Sequence, residues 1–389
     1  MRRMNEGTAA PRAVYIHIPF CEKKCLYCDF NTYVRKGQPV ESYLAALERE
    51  MELTVREHPP GRVETIFVGG GTPTELETEE MARFLAAVRR YFPADPETCE
   101  FTMEANPGTV DPGKLAVMRE GGVNRISFGV QSFDNGLLRR LGRIHDADDA
   151  RKSLELARTA GFVNISIDLM FGLPGQTIEI LEKTIDEALA LGLPHYSVYA
   201  LKIEENTPFH ALRRQNRLPL PDEESEAEMY ELIMRRMKEA GYVQYEISNF
   251  ARPGFESRHN TVYWRNESYY GIGAGAHGYV AGMRHENVRG VAEYIAAAQS
   301  GLPRRSTHAV SPEEMREDFM MVGLRLLEGV RRDDYRRRYG REMEDDFGEV
   351  LKRLAEKGLL AENEAGYRLT HKGIMFGNEV FGAFIGVLA

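Results

Sequence analysis

Val14-Tyr15-Ile16-His17-Ile18-Pro19-Phe20-Cys21-Glu22-Lys23-Lys24-Cys25-Leu26-Tyr27-Cys28 is the stretch on which the fold turns. The β-branched and aromatic run Val14–Phe20 reads as a strand. It runs straight into a loop with cysteines spaced C-x3-C-x2-C. Three thiolates this close can take three irons of a [4Fe–4S] cluster, where ordinary cluster sites supply four cysteines. The fourth iron is then open to a ligand that is not protein, by the logic that separates open catalytic metal sites from closed structural ones. Zinc is the rival occupant, and it wants a fourth tetrahedral ligand and usually a second ligand pair. The one other cysteine, Cys99, lies far along the chain.

Working outward, β-rich runs recur at Val14–Phe20, Thr65–Val68, Glu100–Glu104, Arg125–Val130, Asn164–Met170 and His195–Leu201. Helical spacing fills the gaps at Glu41–Val55, Thr78–Tyr91, Pro112–Gly121, Asp146–Ala160 and Thr177–Leu191. Alternating strands and helices predict βαβ units and a parallel sheet. The expected fold is α/β, a partial (β/α)6 barrel of the TIM type over residues 12–205, after an N-terminal tail, 1–11. Active sites of such barrels gather at the C-terminal strand ends. Residues 206–305 change texture, first charged and helical, then rich in aromatics and glycine. From 306 to 389, helices followed by Gly366–Gly373 suggest a smaller α+β module resembling a winged helix. The patchy apolar run Gly373–Ala389 suggests a docked amphipathic helix.

Bulk composition sets limits. The chain has 389 residues, 43% hydrophobic and 28% charged, with a net charge of -9. Acidity of this size argues against general nucleic-acid binding, which wants a basic face. The arginines of Arg331–Arg338 stand among Asp333, Asp334, Glu342 and Glu344 and read as a solvated face. Three of the four cysteines share a metal-type loop, so the expected compartment is the reducing cytoplasm. Neither a secretory signal nor a spanning apolar segment is expected.

Polar residues cluster where the barrel would present its site. Gly69-Gly70-Gly71-Thr72-Pro73 follows the second strand, and glycines let backbone approach a ligand closely. Glu104, Gln131 and Asp168 lie at or near later strand ends, and Arg143 lies in a following segment. Carboxylates and amides suit ribose hydroxyls, and arginine suits a carboxylate. These motifs resemble the radical S-adenosylmethionine (SAM) superfamily. The run Tyr15–Cys28 with Gly69–Thr74, Glu104, Gln131, Arg143 and Asp168 is similar, over nearly the whole chain, to the anaerobic coproporphyrinogen III oxidase family and its relatives. The resemblance implies a [4Fe–4S] cluster on Cys21, Cys25 and Cys28. It implies SAM on the open iron, contacted by Tyr15, Gly70, Gly71, Thr72, Glu104, Gln131, Arg143 and Asp168.

Within that family the chain departs from the oxidase pattern. The oxidase carries a further cysteine two residues after the third, where this chain has Phe30. It also carries a longer N-terminal arm. Both departures resemble the HemW branch of haem chaperones, which implies binding of haem and its delivery to apo-haemoproteins, with peripheral membrane association through such partners. Oxidative decarboxylation of coproporphyrinogen III is the alternative activity, and a haem-responsive regulator the second. The segment Arg258-His259-Asn260-Thr261-Val262-Tyr263-Trp264 is similar to the branch's haem motif, implying His259 as iron ligand beside Tyr263 and Trp264. A lone histidine among aromatics is also a common packed residue, and His277 and His285 are rival ligands.

Overall fold

The computed structural model describes residues 10–388, so residues 1–9 of the expected tail lie outside the described residues. Six parallel strands follow in chain order: β1 (Ala13–Ile18), β2 (Thr65–Gly70), β3 (Glu100–Ala105), β4 (Arg125–Gln131), β5 (Asn164–Phe171) and β6 (His195–Ala200). Between them run α1 (Val40–Glu57), α2 (Thr78–Tyr91), α3 (Pro112–Glu120), α4 (Asn135–Leu141), α5 (Ala147–Thr159) and α6 (Ile178–Ala190). Only α4 was not expected from sequence spacing. Helix α2 shows how local sequence makes these elements. Glu77 and Glu80 form a reciprocal capping box at its start. Met81, Phe84, Leu85 and Val88 then repeat at helical spacing and are buried against the sheet.

The sheet does not stop at six strands. After α7 (Pro208–Arg214) and α8 (Glu223–Glu239), β7 (Val243–Glu246) and β8 (Asn249–Ala251) add antiparallel to the β6 edge. Helix α9 (Arg258–Trp264) crosses to the other edge, where β9 (Tyr269–Ile272) lies parallel beside β1. The antiparallel strands β10 (His277–Val280), β11 (Met283–Asn287) and, after α10 (Val291–Ser300), β12 (Arg304–Ala309) follow. The order across the sheet is β12-β11-β10-β9-β1-β2-β3-β4-β5-β6-β8-β7. Residues 206–309 thus finish both edges of the barrel sheet, with β12 crossing the boundary expected at 305, and a seventh parallel strand, β9, joins the expected six. One apolar core runs from Val14 on β1 through Met229 on α8 to Tyr294 and Ala298 on α10.

A second core, Phe319 to Phe384, holds the C-terminal module. It contains α11 (Pro312–Gly323), α12 (Arg332–Tyr339), α13 (Met343–Glu356) and a three-stranded sheet of Val330–Arg331, Leu360–Glu362 and Gly366–Leu369. The apolar C-terminal run forms two short helices, His371–Met375 and Gly377–Gly382, with Val380, Phe381 and Phe384 buried. Arg336 pairs with Glu342, Arg332 with Glu344 and Glu362, and Arg337 with Asp334.

Candidate functional site

The cysteine loop is pinned on both sides. The pieces Phe20–Cys21 and Tyr33–Val34 pair with each other across it. Arg35 bonds Glu80 on α2 at 2.9 Å, and the Leu26 amide donates to the Leu141 carbonyl at 3.0 Å. Asn31 takes His17 Nε2 on its carbonyl and donates its amide to the Ala274 carbonyl at 2.9 Å. Cys21, Cys25 and Cys28 are all unpaired and partly exposed, whereas Cys99 is buried elsewhere. Among the described residues no three thiols, imidazoles or carboxylates gather round a point that one metal ion could occupy. Burial pushes the Cys21 thiol up to about 11, against the hydrogen bond from Thr72, and burial also raises Cys28. Metal ligation must therefore displace protons.

The three glycines at the end of β2, Gly69 and Gly70 within it and Gly71 just past it, are each fixed by close packing. A Cβ on Gly69 would lie 2.6 Å from the Glu104 carboxylate, and one on Gly71 2.6 Å from the Phe20 carbonyl. Gly70 adopts a left-handed φ of 110° against the His17 ring. Thr72 N donates to the Phe20 carbonyl at 2.7 Å, so the glycine loop and the cysteine loop are laced together. The Gly70 N–H donates to Glu104 Oε2 at 3.0 Å.

Beneath the thiols lies a cavity of about 470 Å³. Of the residues expected to hold SAM, Gly70, Gly71, Thr72, Glu104, Gln131, Arg143 and Asp168 line it together with all three cysteines. Tyr15 does not. Its hydroxyl meets His17 Nδ1 at 2.9 Å and its ring stacks on Phe67 deeper in the barrel. Burial pushes Glu104 up to about 8, with the neighbouring Asp168 charge second, and burial raises Asp168 despite bonds from Ser197 and Ser127. Gln131 carries a left-handed φ of 69°, uncommon for a residue with a side chain, at a register shift in β4. Its Oε1 and the Arg143 Nε are buried without a hydrogen-bond partner. Buried polar atoms are normally satisfied. Thr32 Oγ1, Arg125 Nε and Asn249 Oδ1 are orphans of the same cavity, and five orphans with a strained backbone mark where a polar ligand fits.

The cavity also contains residues that sequence reasoning passed over. Arg125, Ser127 and Ser197 sit low on their strands, with Asn106 just past β3. Asn106 was visible in Met103-Glu104-Ala105-Asn106-Pro107-Gly108, the run that ends β3, but nothing local marked it as more than a turn residue. Arg125 is a charged residue almost fully buried in a strand, a signal that could have found it.

The expected haem residues are elsewhere. Helix α9 closes the opposite, N-terminal end of the barrel. Glu100, at the start of β3, accepts the Arg258 and His259 amides, each at 3.0 Å. The His259 ring is 1% exposed and stacks on Phe67. Both its nitrogens are engaged, Nδ1 with Thr65 Oγ1 at 2.9 Å and Nε2 with Tyr263 OH at 2.8 Å. Burial pushes it down to about 3. Trp264 lies under the Arg325 guanidinium, 4.4 Å from its ring centre, at the joint with the C-terminal module. In this conformation His259 has no nitrogen free for iron. Asn260 alone of this segment reaches the cavity. His277 is exposed on β10, and His285 on β11 directs Nε2 to the Gly271 carbonyl at 3.3 Å.

This partial barrel, with a three-cysteine loop over a polar cavity at its C-terminal face, defines a radical SAM protein, and residues 15–188 match the family model of the Radical SAM superfamily. Residues 310–376 match the HemN C-terminal domain. The chain is 50% identical to "Heme chaperone HemW" of Bacillus subtilis (strain 168), over 97% of this chain and the whole of that protein. It is 37% identical to the protein of the same name from Escherichia coli (strain K12), over 96% of this chain and 98% of the other. The chain belongs to the HemW haem chaperone family. Its fold is also that of coproporphyrinogen III oxidase HemN from Escherichia coli, with a TM-score of 0.84 at 24% identity, covering 97% of this chain and 90% of that one.

Proposed function

We propose that this protein is a haem chaperone of the radical SAM type, which binds haem and passes it to apo-haemoproteins. Cys21, Cys25 and Cys28 hold a [4Fe–4S] cluster, and SAM occupies the cavity below. Glu104 and Asp168 would suit the ribose hydroxyls of SAM, Arg143 would suit its carboxylate, and Gln131 would offer its orphan carbonyl to a donor. When bound and reduced, such a cluster supplies an electron for cleavage of the SAM sulfonium. The chain's own residues hold the cofactor dry and oriented. The working site is the cytoplasm, with membrane contact only through recipient haemoproteins. Supporting the chaperone over the oxidase is Phe30, which stands 60% exposed where a fourth cysteine would be. Of the three candidate histidines, His277 is the exposed one in the described conformation, and His259 would serve only after α9 moved away from Thr65 and Tyr263.

Haemin titration under anaerobic conditions tests this, with wild type beside His277→Ala and His259→Ala. A saturable Soret shift that His277→Ala abolishes supports it. Loss through His259→Ala alone moves the ligand to a displaced α9. Absence of saturable binding, or conversion of coproporphyrinogen III with SAM and a reductant, returns the oxidase to first place.

A further inference from the structure

Thr72 and Arg143 each reach a cysteine sulfur. Thr72 Oγ1 lies 3.5 Å from Cys21 Sγ and Arg143 Nη1 lies 3.4 Å from Cys25 Sγ. One side chain joins them. Asn106 Nδ2 donates to Thr72 Oγ1 at 2.8 Å, and Asn106 Oδ1 accepts from Arg143 Nη2 at 2.6 Å. The sense of these bonds follows from donor chemistry alone. A guanidinium has no acceptor, so the Asn106 atom facing it is the carbonyl oxygen. The amide NH2 must then face Thr72. A hydroxyl whose lone pair receives that N–H points its own proton elsewhere, and the remaining partner in line is Cys21 Sγ. Arg143 is held on its other side by the Gly129 carbonyl at 2.5 Å. Asn106 is itself anchored by Thr109, whose amide and hydroxyl both donate to the Asn106 backbone carbonyl, the hydroxyl at 2.7 Å.

We propose that Asn106 is a positioning residue that fixes the direction of hydrogen bonds to two of the three cluster sulfurs and so raises the cluster's reduction potential. The inference rests on the cluster reading above. Hydrogen bonds to ligand sulfur stabilise the more negative, reduced cluster, and outer-shell partners of this kind tune metal sites. Without the amide, the Thr72 proton is no longer forced toward Cys21, and Arg143 loses one of the partners that hold it, keeping the Gly129 carbonyl, a 3.5 Å approach to His145 Nδ1 and its own approach to Cys25.

The test is an anaerobic redox titration followed by electron paramagnetic resonance, with iron and sulfide counted on the same samples. The proteins are reconstituted wild type, Asn106→Ala, Thr72→Val and the double variant. Asn106→Ala keeps its iron and sulfide, while the reduced-to-oxidised ratio at a fixed poise falls about tenfold, about 59 mV for one electron. Thr72→Val shifts the midpoint the same way by less. The double variant shifts no further than Asn106→Ala, because both changes remove one directed bond. An unchanged midpoint in Asn106→Ala at full iron content overturns the proposal, and so does full additivity. Should Asn106→Ala take up no cluster, Thr72→Val decides, and an unchanged midpoint there overturns it. Wild type that takes up no iron sinks the cluster reading itself, a failure distinguishable by the iron count alone.

Discussion

The two ends of the barrel make opposite use of similar residues. At the C-terminal end, buried polar atoms are left over: Gln131 Oε1 and Arg143 Nε have no partner, and Gln131 holds a left-handed backbone. At the N-terminal end, the polar groups around His259 are matched. Glu100 takes two helix amides, and both imidazole nitrogens are bonded. Both ends contain histidine, tyrosine, asparagine and carboxylate, so composition does not separate them. What separates them is where the unsatisfied groups gather: five line the one cavity at the C-terminal end, whereas toward the other end Asn164 Oδ1 and Trp264 Nε1 are orphans while His259 itself is matched. A matched histidine under a helix closes one end, and orphans gathered in one cavity mark the other as a ligand site.

That contrast can be broken by experiment, and the largest effect lies at the thiols. Cys25→Ser drops reconstituted iron and sulfide to background while the urea midpoint of the apo-protein moves little, because the thiol is partly exposed and packs no core. A large loss of stability would mean that the loop is structural as well. Next comes Glu100→Ala at the closed end. It leaves the Arg258 and His259 amides without their acceptor at a helix start, at a cost of about 3 kcal/mol in urea unfolding. Iron uptake by the surviving fold stays at the wild-type level. If Glu100→Ala were harmless, the claim that matched groups close this end would fail.

The ends also pull stability in opposite directions with pH. Glu104 is raised from 4.5 to about 8, so its contribution is fully present below pH 4.5 and is lost as pH rises toward 8. His259 is lowered from 6.5 to about 3, so its contribution is present above pH 6.5 and is lost as pH falls toward 3. Urea unfolding of the apo-protein across pH 4–9 should show a flatter neutral side in Glu104→Gln than in wild type. His259→Gln should flatten the acid side. An unchanged profile in either variant would contradict the burial assigned to that group. The smallest effect belongs to Gln131→Asn. Asparagine tolerates the left-handed region better, so the apo-protein gains about 0.5 kcal/mol while SAM binding, measured by calorimetry on reconstituted protein, weakens. Tighter SAM binding would show that Gln131 is not aimed at the ligand.

Much of this molecule was legible in order along the chain. Periodicity located the six barrel strands and five of the helices between them, because strands and amphipathic helices record their own burial every two or every three to four residues. The cysteine spacing and the triple glycine were equally local, since a loop that offers three thiolates must contain them close together. Helix α4 was missed because its seven residues are too few to show a period, and the place of the Tyr15 ring behind Phe67 could not be read from its strand position, which says nothing about the neighbours a ring will meet.

The chain's sequence by itself determined the barrel, the cysteine loop and the family it resembles. Tertiary structure decided that β9 returns from residue 269 to lie beside β1, that Asn106 links two cysteine partners, and that His259 is enclosed rather than offered. Each depends on groups far apart in sequence, such as His259 with Thr65 and Glu100, or Asn106 with Thr72 and Arg143. Whether a polar atom is satisfied depends on the partners that folding brings to it, and no local pattern records those partners.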